Sequence, residues 1–115
     1  MKDMLDKILQ IENKYIELGQ ILSDPEVIQD YNRFKTLSKQ RKAMEETVDT
    51  YHKWKDAEQS IKDGEELLKS ENDNEMREFL HNEINENKSK MTELEERMRV
   101  LLLPRDPMDD KDIML

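Results

Sequence analysis

From Met76 to Leu101 an apolar residue recurs every three or four positions: Met76, Leu80, Ile84, Met91, Leu94, Met98 and Leu101, with Asn87 the one polar member of the series. Steps of three and four average close to a helical turn, so these side chains fall on one narrow stripe of an α-helix, where a strand would need alternation by two. Almost everything between the stripe positions is charged or polar. A helix of that kind gains most of its stability from tertiary packing, and a stripe this narrow is buried by laying it against the stripe of another helix. The segment therefore predicts helix-on-helix packing before anything else about the chain is considered.

The remainder obeys the same rule. Met4, Ile8, Ile11, Tyr15, Leu18 and Leu22 alternate steps of four and three and predict a first helix, whose last turn Gly19 weakens. Ser23-Asp24-Pro25-Glu26 supplies an N-cap, a proline at the first helical position and an acid in the first turn, which together start a new helix. Its pattern runs through Val27, Tyr31, Phe34, Leu37, Met44, Val48, Tyr51, Ile61 and Leu68, with a break or kink expected between Asp30 and Arg33. SENDN at 70–74 interrupts it, Asp73 is the expected cap of the third helix, and Pro104 ends that helix.

Short connections make sequential helices antiparallel neighbours. The expectation is an all-α fold over residues 1–103: a three-helix base carrying a projecting, coiled-coil-like two-helix hairpin. The turn near Asn72 sets Leu68 beside Met76, Ile61 near Ile84, and Val48 with Tyr51 near Leu94. Folded back about Ser23–Glu26, the first helix reaches only to about Met44. Residues 104–115 read differently: Pro104 and Pro107 stop the helix, Asp106, Asp109, Asp110 and Asp112 fill a turn, and Ile113-Met114-Leu115 begins a strand. The expectation is the edge of a further domain.

Composition narrows the chemistry. In 115 residues 41% are charged and 5% aromatic, with two glycines and no cysteine, which excludes disulfides, thiolate metal sites and a cysteine nucleophile. It also favours a reducing, cytoplasmic setting. The N-terminal MKDMLDKILQ carries Asp3 and Asp6 where a secretory segment needs an unbroken apolar run. A net charge of -9 opposes nucleic-acid binding by the surface as a whole, because that binding is driven by lysine and arginine displacing counterions. The charge is uneven, however. Arg33, Lys35, Lys39, Arg41, Lys42, Lys53 and Lys55 face only Glu45, Glu46 and Asp49 in the same stretch. The plain reading is a solvated face paired with acids on adjacent helices; the sharper one is a small RNA or acidic-protein contact.

Two carboxylate-x-x-His pairs, Asp49/His52 and Glu78/His81, have the spacing of ligands in dinuclear carboxylate bundles. Glu78 lies two positions from Met76 and from Leu80, about 200° around the helix and outward, and both histidines sit one step off their seams. They are read as surface residues. The aspartates at 106–112 have neither the glycine nor the closing glutamate of a calcium loop. No glycine-rich phosphate loop or nucleophile elbow is present. Trp54 and the seam methionines are read as core residues before partner anchors. No catalytic, cofactor or metal residue is expected, and partner-binding residues are not identifiable from the sequence.

The C-terminal LLLPRDPMDDKDIML resembles the junction of bacterial class I peptide chain release factors, where a helical first domain gives way through such a turn to the first strand of the next. MLDKI, LSDPEVIQDYNRF, LSKQRK and DNEMRE resemble the same family along the rest of the chain. The likeness is to the branch acting at UAA and UAG, because LSDPEVI stands where the other branch has a tryptophan-containing segment. Asn74 departs from the proline many relatives place there, which touches capping only.

The resemblance implies a module of translation termination. The family binds the ribosomal A site at a stop codon and promotes peptidyl-tRNA hydrolysis through a Gly-Gly-Gln loop, with a separate tripeptide reading the codon; neither motif occurs in these 115 residues. It implies that this helical domain is a non-enzymatic, mainly monomeric part. Its partners would be the stalk base of the large ribosomal subunit and release factor 3, with little nucleic-acid contact and no cofactor. The alternative is a self-contained adaptor that dimerises through its seams as a coiled coil.

Overall fold

A computed structural model describes residues 2–103. The expected turn and strand at 104–115, with the aspartates at 106, 109, 110 and 112, lie outside the described residues. Four helices make up the fold: α1 (Lys2–Ile21), α2 (Pro25–Gln29), α3 (Tyr31–Ser70) and α4 (Asn74–Leu101). At ~1.5 Å per residue, the forty residues of α3 span about 60 Å, which matches the 61 Å long axis of the molecule. α3 is the spine on which the other helices lie.

The starts of α2, α3 and α4 are each fixed by an aspartate. Asp24 accepts from the Glu26 backbone N–H at 3.0 Å, with Pro25 at the first helical position. Asp30 closes α2 through its own N–H to the Val27 carbonyl and opens α3 by accepting from the Arg33 N–H at 3.3 Å. Asp73 does the same for α4 at the Met76 N–H, 3.4 Å away. Such caps satisfy donors that the first helical turn leaves without an intrahelical partner. The expected break between Asp30 and Arg33 falls at Asp30, where the extended backbone separates a five-residue α2 from α3.

The core lies where three helices meet. Ile8 of α1, Tyr51 and Trp54 of α3 and Met98 of α4 are buried together, flanked by Met4, Leu5, Met91, Leu94 and Leu102. Burying an aliphatic side chain of this size stabilises by about 1.5–3 kcal/mol. Trp54 stacks on Tyr51 at a centroid distance of 6.1 Å and donates its indole N–H to Glu95 at 3.0 Å, which satisfies the one polar atom of the ring. On this level α3 buries Thr47, Val48, Thr50, Tyr51 and Trp54, a wide arc that follows from having a helix on two sides. Beyond it the buried set narrows to Ala57, Ile61 and Gly64, steps of four and three, against Leu80 and Ile84 of α4. That is the expected two-helix arm on a three-helix base.

Two details differ from the sequence reading. First, α1 reaches past Met44: Glu12 meets His52 at 2.6 Å and Ile8 packs at the level of Trp54. The five residues of α2 are spent in the connection and move the fold-back point from Pro25 to about Asp30, which slides α1 along α3. Second, Tyr31 and Phe34 are not seam residues; they are 71% and 36% exposed. Ile84 also abuts Gly64, where the glycine gives the isoleucine a place to sit.

Candidate interaction site on the two-helix arm

The arm ends in a turn closed by side-chain hydrogen bonds to the backbone. Arg77, in the first turns of α4, donates from Nη1 to the Leu68 carbonyl at 2.8 Å and to the Glu71 carbonyl at 2.9 Å, oxygens at the end of α3. The Asp73 N–H donates to the Glu71 carboxylate at 3.0 Å. Helix ends leave carbonyls unpaired, and a cation there satisfies them and complements the helix dipole. The sequence reading found Asp73 but not Arg77, whose partners belong to the preceding helix and leave no local motif.

Around this turn apolar side chains face solvent. Leu67 and Phe79 are each 56% exposed and Met76 43%, all within the last two turns of the arm. Phe79 and Leu67 lie off the seams, while Met76 is a seam residue that runs out of partner where α3 ends. Glu65, Glu66, Glu71, Asp73, Glu75 and Glu78 surround them, against Lys69 and Arg77; Lys69 pairs with Glu66 on its own helix and Arg77 is spent on carbonyls. The end of the arm is apolar and acidic together.

Nearer the base, α3 and α4 leave an open groove of about 470 Å³ lined by Lys53, Asp56, Ala57, Ser60, Asn87, Lys90 and Leu94. It opens because Ala57 and Ser60 are small and Asn87 turns its amide back to the Glu83 carbonyl at 3.0 Å instead of reaching across. Asn87 is half-buried on the α3 side of α4 and bonds to no other helix.

The sequence-predicted chemical pairs do not assemble. Asp49, Glu78 and His81 are exposed, and His52 turns to Glu12 of α1. Among the described residues no three His, Cys, Asp or Glu side chains come together as metal ligands. Trp54 is buried packing and no surface anchor. Among the described residues the basic stretch is not paired across helices with acids: Arg41 donates from Nε to the Tyr15 carbonyl at 3.0 Å and lies 3.8 Å over the Tyr15 ring, and Lys42 pairs with Glu45 of its own helix. No described helix is long and apolar enough to cross a membrane.

Among the described residues the arrangement offers surfaces for contact. The family profile of the PCRF domain matches residues 11–115. Peptide chain release factor 1 of Ligilactobacillus salivarius is 43% identical over the whole of this chain, and that of Streptococcus uberis 46% identical over 98% of it. The Bacillus anthracis protein of the same name is 39% identical over 97%. In each case the chain spans 32% of the relative's length. No solved structure matches the chain. With the PCRF profile covering all but the first ten residues, the chain belongs to the PCRF-domain family of bacterial peptide chain release factors.

Proposed function

We propose that this chain is the N-terminal helical domain of a cytoplasmic translation termination factor acting at UAA and UAG, and that it serves as a ribosome-contacting module without catalytic groups of its own. The observation that carries the reading is the arm: two helices project from the base and end in exposed Leu67, Met76 and Phe79 within a ring of carboxylates. A rod of this kind places a contact at a distance; its acidic, apolar end suits a basic protein surface, such as proteins of the large-subunit stalk base or release factor 3, better than RNA. Both glycines of the chain, Gly19 and Gly64, lie inside helices, so no described loop has the make-up of a Gly-Gly-Gln hydrolytic motif. The seams are consumed within one chain, with Ile8, Leu18 and Met98 at 0% exposure, which favours a monomer over the coiled-coil adaptor.

The test is a chimera in which this chain replaces the matching segment of the Ligilactobacillus salivarius release factor 1. Peptide release is then measured on ribosomes programmed with UAA, UAG or UGA. Release at UAA and UAG within a few-fold of the intact factor is expected, with the chain alone giving no more than buffer. A folded chimera that releases nothing, or a chain whose solution mass is that of a stable dimer, would overturn the reading.

A further inference from the structure

At the end of the molecule opposite the arm tip the charge reverses. The first twelve residues of α3, Tyr31 to Lys42, hold five cations and no acid, in a chain whose net charge is -9. Arg41 is committed to Tyr15, and Arg33, two positions from Tyr31, points about 200° away from it. Tyr31, Lys35, Ser38, Lys39 and Lys42 recur at helical spacing and share one flank of α3. The flank is open: Tyr31 is 71% exposed, the Lys42 side chain 79%, and Lys35 and Lys39 are exposed. Lys35 Nζ lies 5.9 Å from the centre of the Tyr31 ring, so aromatic face and cation already stand together, with Phe34 a turn away and 36% exposed. Neighbouring acids are few: Asp24 and Asp30 are engaged as helix caps, Glu26 lies in the first turn of α2, and Glu45 meets Lys42 at 3.5 Å in an exposed pair weak enough for a phosphate to displace.

We propose that this flank binds RNA, with Lys35, Lys39 and Lys42 on successive phosphates of one strand and Tyr31 stacked on an unpaired base at the end of the row. Cations one turn apart along about 10 Å of helix track a backbone, and an exposed aromatic beside them supplies the stacking platform that a merely solvated lysine face lacks. Overall negative charge confines the contact to this flank and excludes the acidic arm from it. Choosing RNA over an acidic protein rests on the reading of the chain as a ribosome-contacting module.

The probe is a fluorescein-labelled RNA hairpin with an unpaired loop, titrated with the chain and followed by anisotropy between about 50 and 200 mM salt. The combined variant Lys35→Gln, Lys39→Gln, Lys42→Gln, at exposed helix positions, should keep its helical circular dichroism. It should bind at least tenfold more weakly and flatten the salt slope by about two, at roughly 0.7 per lost contact to a single strand. Tyr31→Ala should weaken binding several-fold and leave the slope unchanged. Equal binding by the folded triple variant overturns the proposal, as does no binding by the wild-type chain, or capture of polyglutamate in place of RNA. Because the RNA is free of ribosomes, such a failure removes the RNA flank alone; failure of the termination reading shows instead in the chimera's release.

Discussion

Gly64 on α3 lies so close to Ile84 on α4 that a β-carbon built at Gly64 would sit 3.0 Å from Ile84 Cγ1 and 3.2 Å from Cδ1. The atoms it would meet belong to a buried, β-branched side chain with little rotamer freedom. Gly64→Ala gains up to ~1 kcal/mol of helix propensity and loses about 1–3 kcal/mol to overpacking. The expected outcome is net destabilisation and a melting temperature several degrees lower. Adding Ile84→Ala should remove the conflict, so that the double variant is less destabilised than the sum of the two single ones. Additive losses in thermal melts would place the helices farther apart than this.

The other glycine is expected to behave differently. A β-carbon at Gly19 would meet the Arg41 guanidinium, with Nη2 at 2.9 Å, and that is the far end of a long side chain at the margin of the base. Swinging it aside weakens the stack on Tyr15 and the bond to the Tyr15 carbonyl, together worth about 1 kcal/mol. Alanine in the last turn of α1 returns nearly as much in propensity. Gly19→Ala should therefore shift the melting temperature by no more than about 2 °C in either direction, and a loss as large as that at Gly64 would show that Arg41 has nowhere to go.

The contrast between the glycines shows what the chain made legible. Caps, proline and apolar period are local signals, so the helices and the antiparallel arm were readable, as was Trp54 as packing. Sliding one helix along another changes no local signal. The displacement of α1 by the five residues of α2, and the close seat of Ile84 on Gly64, needed the assembled structure. Arg77 leaves no local signal either, because its carbonyl partners belong to the end of the preceding helix. Tyr31 and Phe34 fit the apolar period but occur where α3 has run past the buried part of its partner. Periodicity reports a face, and only the length of the neighbour decides whether the face is covered.

Asn87 lines the groove between α3 and α4 with its amide bonded to the carbonyl one turn back. That carbonyl keeps its own helical hydrogen bond without the side chain, so removing the amide orphans nothing. Leucine at this position has the higher helix propensity and extends apolar surface over Ala57 toward Leu94. Asn87→Leu is expected to stabilise by ~1 kcal/mol and raise the melting temperature by a few degrees. An unchanged or lower value would mean that the groove closes less readily around an apolar side chain than its lining suggests.

The arm and the base should also part company in their dynamics. Around Trp54 three helices share a core in which Ile8 and Met98 are fully buried, whereas beyond Ala57 only Ile61, Gly64, Leu80 and Ile84 are buried between two helices. Few buried apolar contacts per turn mean local opening at a free energy below that of global unfolding. Amide hydrogen exchange should run fastest in the described helices at 66–80, slower toward Ile61 and Ile84, and slowest at 47–54 and 94–98. Trp54 is the chain's one tryptophan, so its emission reports the base alone; on heating, part of the helical circular dichroism should be lost before that emission shifts. Arg77→Ala should widen the gap between the two probes, because it frees the Leu68 and Glu71 carbonyls that hold the turn. Coincident transitions by both probes, in the wild type and in the Arg77 variant, would mean that the arm melts as one unit with the base and that its reach is set by the whole fold.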